Sequence, residues 1–229
     1  MIILKKQKKI TELLKYYIEK RMIKILLLGA ISGFPWVIIG SSLTLWLNEE
    51  GLSRSAIGWA GLIFAVYAFN YLWAPLIDRI YIPFLTKKIG HRKSWIFLMQ
   101  TIIIFCLIFW SFADPSNSLS LVIGIGLVIA ISSSTQDITI DALRIEQIRP
   151  DEKEAMSAGA AMAVVGWWTG YKLGGAFSLN LAQQFETLGY ENYWKLAFIG
   201  LGIVIVFFNI GVLFIKEKNF SEKKRNQSA

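Results

Sequence analysis

One apolar stretch of this chain ends in Ser132-Ser133-Ser134-Thr135-Gln136-Asp137-Ile138-Thr139-Ile140-Asp141-Ala142-Leu143-Arg144. Asp137, Asp141 and Arg144 stand at i, i+4 and i+7, so a helix sets them on one face with Ser133 and Ser134 nearby. An acid near the centre of a bilayer costs about 2.5–3.5 kcal/mol on insertion scales, so it needs a partner or a water-filled cavity. Two readings stay open. The face could line a transport pathway, with Asp137 carrying protons and Gln136 beside it. Alternatively, Asp141 and Arg144 simply pair where the helix leaves the membrane.

A second polar cluster interrupts another apolar stretch, Gly166-Trp167-Trp168-Thr169-Gly170-Tyr171-Lys172-Leu173-Gly174-Gly175. Gly166, Gly170 and Gly174 recur every four residues and make a smooth stripe for close helix packing. Lys172 is directed away from the nearer surface by the tilt of helical side chains, which disfavours easy snorkelling. Its ammonium suits an anionic substrate group or an internal carboxylate. At 1.5 Å per residue it sits roughly 10 Å or more from the depth of Asp137, so the two are not expected to pair. Tyr171 and, in the first stretch, Ser41 are further polar contributors to a pathway. Pro35 removes a backbone hydrogen bond and predicts a kink in that first stretch, flanked by Gly29, Gly33 and Gly40.

These residues must be positioned by long apolar segments. Six are read at roughly Ile25–Leu47, Ser55–Ile77, Ser94–Ala113, Leu119–Ile140, Met156–Leu181 and Tyr193–Ile215, each near the ~20 residues a membrane span requires. Helix is the conformation expected of all six, because open strands leave backbone groups unpaired in lipid. The chain carries 24 Lys and Arg residues. All but Arg54, Lys195 and Lys172 fall on one side of the segments, which places that side and both termini in the cytoplasm. Trp46, Trp59, Trp110, Tyr193 and Trp194 fall near the outer boundary and Trp73 and Trp95 near the inner one, as interfacial belts. Residues 1–24 read as a basic arm on the inner membrane surface, 25–215 as the bundle and 216–229 as a charged, disordered tail.

At 229 residues and 55% hydrophobic content the chain is too apolar for an ordinary soluble domain. Its formal charge of +8 sits in tails and loops rather than on one face, which argues against nucleic acid and for anionic headgroups. A single cysteine, Cys106, excludes disulfide and metal frameworks. The chain has no His-Glu-x-x-His or Gly-x-Ser-x-Gly sequence, so no enzyme chemistry, metal or cofactor is implied. His91 reads as an interfacial loop residue.

The turn Ala74-Pro75-Leu76-Ile77-Asp78-Arg79, followed by Gly90-His91-Arg92-Lys93, resembles the signature loop of the major facilitator superfamily. More specifically, five stretches are similar to the muropeptide permeases of the AmpG type. They are Gly40-Ser41-Ser42-Leu43 with Trp46-Leu47; Leu72-Trp73-Ala74-Pro75; Asp114-Pro115-Ser116; Ser134-Thr135-Gln136-Asp137; and Gly170-Tyr171-Lys172-Leu173-Gly174. The resemblance implies an all-α, six-helix N-terminal half built from 3+3 inverted repeats. It implies a bacterial inner-membrane protein that imports anhydro-muropeptides with protons for cell-wall recycling. It also implies that Asp78, Arg79, Arg92, Lys93 and Arg144 form a cytoplasmic gate.

Three features depart from the family. Lys172 replaces an arginine, Asn70 stands where lysine is common, and the family has twelve helices in two halves. A separately encoded C-terminal half, a second copy of the chain, or a truncated product with no transport would each account for six. A non-transporting scaffold or regulatory partner, or a permease for another substrate such as acetyl-coenzyme A, are the alternative functions.

Overall fold

The computed structural model describes residues 15–217, all helices and connecting turns. The expectations for residues 1–14 of the arm and 218–229 of the tail lie outside the described residues. In chain order the helices are α1 (Lys20–Glu49), α2 (Arg54–Leu72), α3 (Ala74–Arg79), α4 (Leu85–Ile89), α5 (His91–Phe112), α6 (Pro115–Glu146), α7 (Lys153–Thr187) and α8 (Tyr193–Leu213). By length and apolarity α1, α2, α5, α6 and α8 can cross a membrane. The 35-residue α7 is long enough, but its polar and glycine residues make it less apolar than those five.

Local chemistry explains the boundaries. Asp114 caps α6, accepting from Ser116 N at 2.9 Å and from Asn117 Nδ2 at 2.7 Å, with Pro115 in the first turn where a missing N–H costs nothing. Ser118 breaks the helical dihedrals (φ −142°, ψ 50°), so the regular helix starts after it. Ser53 caps α2 through Ala56 N at 3.2 Å. The expected second segment stops early: α2 ends at Leu72, and Trp73 separates it from α3. The expected segment therefore includes most of α3, and the expected inner loop contains the end of α3 and all of α4.

In α1, the break predicted at Pro35 appears as a π-helical stretch, Val37–Ser42, between two α-helical pieces. Such wide turns recur at functional sites. This one carries Ser41 and Ser42, whose hydroxyls meet Tyr171 Oη at 3.3 Å and Ser178 Oγ at 2.7 Å on α7.

Helices α1 and α7 pack backbone against backbone. A methyl group at Gly166 or Gly170 would collide with the carbonyl of Leu26 or Ala30, and one at Gly174 with the Phe34 ring. Reciprocally, Gly29 and Gly33 of α1 lie against the carbonyls of Ala163 and Trp167. Small residues on both helices thus let the backbones touch.

The main core lies toward the other end of the bundle. Trp46, Trp110 and Phe198 are fully buried, with ring centroids 5.0–5.9 Å apart. Trp110 Nε1 donates to Val122 O at 3.0 Å and Trp46 Nε1 to Glu50 Oε1 at 3.2 Å. Trp194 is also buried and donates to Glu49. The interfacial belt expected of Trp46, Trp110 and Trp194 is therefore corrected: these rings are core, because three helices converge where their indole N–H groups find acceptors. Trp59, by contrast, is 67% exposed.

Candidate functional site

Three consecutive residues of α6 reach three different partners. Thr135 Oγ1 accepts from Trp73 Nε1 at 3.0 Å, Gln136 Nε2 donates to Ile31 O at 3.1 Å, and Asp137 Oδ1 accepts from Ser32 Oγ at 2.6 Å. The α2–α3 junction and the middle of α1 are thereby held against one turn of α6. Gln136 is completely buried. Asp137 is not: it borders a cavity of about 380 Å³ between α1, α6 and α7, with Ser32, Asp141, Arg144 and Trp167 also in the wall. Arg144 pairs with Asp141 at 3.0 Å.

Trp167 joins this cavity to the second polar cluster. Its ring stacks on Tyr171 (centroids 5.6 Å apart, planes 8° apart) and meets Trp36 edge-on at 5.6 Å. Lys172 lies away from Asp137's cavity. Its side chain is on an exposed face of α7, with Nζ 5.7 Å from the Trp168 ring and 5.9 Å from the Tyr171 ring. Cation–π attraction from two rings supports the ammonium, with no carboxylate paired to it among the described residues. An anion arriving on that face would meet a localised positive charge backed by aromatic surface.

At the same end of the bundle as Arg144, Arg92 pairs with Asp78 and lies 3.8 Å from Glu146. Glu217, just beyond α8, accepts from Arg92 N at 2.8 Å and Lys93 N at 3.1 Å. A carboxylate there satisfies two of the donors that a helix N-terminus leaves open. Arg79 is exposed at the end of α3. His91 corrects the loop reading: it is the first residue of α5, 5% exposed, and its Nε2 lies 2.9 Å from Ile77 O. The chain between α3 and α5 turns back so that Ile77 O and the Tyr81 ring meet His91, which the sequence distance of 14 residues did not reveal.

Sequence reasoning missed Ser32, Trp167, Glu146 and Glu217. Ser32 had one signal, a hydroxyl flanked by Gly29 and Gly33 on the helix side that must pack closely. Glu217 had none, having been grouped with the charged tail.

The Major Facilitator Superfamily sequence model matches residues 25–229. The chain belongs to that superfamily. Its members are transporters, so the chain is a multi-pass membrane protein of a transporter family and not an enzyme. It is 35% identical over 217 residues to the "Putative transporter AmpG 4" of Rickettsia felis, covering 95% of this chain and 50% of that protein. It is 36% identical over 218 residues to the protein of the same name in Rickettsia conorii, with the same coverage. It is 30% identical over 196 residues to the "Anhydromuropeptide permease" of Escherichia coli K12, covering 85% of this chain and 38% of that one. The chain spans half or less of the length of these relatives.

Proposed function

We propose that this chain supplies the N-terminal wall of a proton-coupled transporter that carries anhydro-muropeptides across the bacterial inner membrane into the cytoplasm. Its six long helices cross the membrane, α7 included, as two three-helix repeats of inverted topology. The one-sided distribution of Lys and Arg supports a cytoplasmic location for the Arg92–Arg144 end. Similarity to an anhydromuropeptide permease supports the substrate class.

The observation that carries the reading is the placement of Asp137 at a cavity rather than in lipid or in an ion pair. A carboxyl there, bonded to one hydroxyl, is placed to take and release a proton. Lys172 and the Tyr171–Trp168 surface lie on the exposed face of α7, where they would receive the anionic groups of the substrate. Asp78, Arg92 and Glu146, with Arg144 and Asp141 beside them, form the cytoplasmic latch. In this fold the substrate sits between two six-helix halves that rock around it, so a second half or a second copy supplies the facing wall.

The test is uptake of radiolabelled anhydro-muropeptide by cells lacking their own permease and expressing this chain, alone and with a C-terminal half from a relative. Uptake in either arm supports the reading. Membrane-inserted protein giving no uptake in both would sink it.

A further inference from the structure

Pro35 lies inside the first α-helical piece of α1 and has no N–H to donate to the carbonyl four residues before it. That carbonyl belongs to Ile31. It lies in a bundle interior at membrane depth, where a lost hydrogen bond is not replaced by solvent. The structure supplies a donor from another helix: Gln136 Nε2 of α6, 3.1 Å from Ile31 O. The amide orientation is fixed by this contact, since turning the Gln136 oxygen toward Ile31 O would oppose two acceptors. Gln136 is 0% exposed, and its Oε1 has no partner among the described residues, so the bond to Ile31 is what holds it.

The neighbouring residues complete the geometry. Ile31 precedes Ser32, and Gln136 precedes Asp137. The Gln136–Ile31 bond therefore lies beside the Ser32–Asp137 bond of 2.6 Å. Two adjacent bonds between the same two helices fix their axial register, and a slide of one residue would break both. We propose that Gln136 replaces the backbone donor that Pro35 removes, and that by doing so it positions Ser32 against Asp137. Gln136 is then a positioning residue of the pathway and does not itself line it.

The importance of this for transport rests on the reading of Asp137 given above, but the test does not. It compares the purified full chain with P35A, Q136L and P35A/Q136L. An alanine at position 35 restores the N–H that reaches Ile31 O within α1, so the glutamine becomes redundant. In the native background Q136L strands a buried carbonyl and lowers Tm by roughly 2–10 °C. In the P35A background the same change costs less than half as much.

Positioning has its own readout, the infrared band of the Asp137 carboxyl, assigned as the band lost in D137N. It shifts in Q136L and returns to its native position in P35A/Q136L. Equal losses of Tm in both backgrounds would overturn the replacement of the donor. A band that stays put in Q136L would overturn the positioning role. If Q136L gives no folded protein, recovery of folded protein by adding P35A supports the proposal, and failure of both overturns it. None of these results depends on uptake, so loss of the transport reading and loss of this one are separable.

Discussion

Gly170→Ala places a methyl group against backbone, and the structure gives little room for it. The new Cβ would overlap the carbonyl oxygen of Ala30 and lie 2.8 Å from both its carbonyl carbon and its Cα. No side-chain rotation relieves a clash with a main chain, so α1 and α7 must separate. Separation also loosens the reciprocal contacts of Gly29 and Gly33 with Ala163 and Trp167. Overpacking of this kind costs about 1–3 kcal/mol, which for a chain of this size lowers Tm by about 2–12 °C.

Gly175→Ala is the matched control, five residues along the same helix with nothing within 4 Å of its added carbon. There the substitution acts only through backbone entropy and raises stability by about 0.4–1 kcal/mol. Thermal unfolding of the detergent-solubilised chain, followed by intrinsic fluorescence of its nine tryptophans, compares the two directly. G170A should fall and G175A should hold or rise. Equal losses, or no loss in G170A, would refute the claim that backbone contact between α1 and α7 sets this packing.

Trp110→Ala should cost about 3–5 kcal/mol, since the ring is fully buried between Trp46 and Phe198; denaturation midpoints in detergent would show it. The hydrogen bonds from Arg21 (2.5 and 3.1 Å) hold the Glu152 carboxyl below its ordinary range. Because the folded value is depressed, the stabilisation is present above the ordinary glutamate value and is lost as pH falls through the lower folded one. The Tm difference between the native chain and E152Q should therefore be widest near neutral pH and narrow as pH falls below the ordinary glutamate range. Glu217→Gln removes the charge from two donors at the start of α5 and should cost about 0.5–2 kcal/mol, with faster amide exchange at Arg92 and Lys93 as the local signature.

The apolar segments were legible because a membrane span has a minimum length and few charges, and each expected segment overlaps a long helix. Facing was much less legible. A lipid-exposed surface is as apolar as a core, so nothing in the spacing of Trp46 or Trp110 revealed that both turn inward. Trp59, on the barely buried α2, has the same sequence character and the opposite environment. The face bearing Asp137, Asp141 and Arg144 could be read from helical spacing, because all three lie on one element. Trp167 and Glu217 could not, and Ser32 only through its flanking glycines, since their partners are brought close only by packing of distant helices. The division of α2 from α3 at Trp73 was hidden for another reason: Pro75 marks a helix start as readily as a kink, and the continuous apolar run favoured one segment. His91 escaped because the return of the chain that brings Ile77 O and Tyr81 to it leaves no mark on residue spacing.

The most direct test of the central claim is proton-driven uptake of radiolabelled anhydro-muropeptide with native Asp137 and with D137N. Both forms would be produced at equal membrane levels in permease-deficient cells, with the second half supplied. The account predicts accumulation by the native chain that collapses on adding a protonophore, and accumulation by D137N reduced at least about a hundredfold, the lower end of the 10²–10⁴ that a positioned proton-transfer group contributes. Accumulation by D137N equal to native and still abolished by the protonophore would contradict it, because the proton would then be travelling by another route.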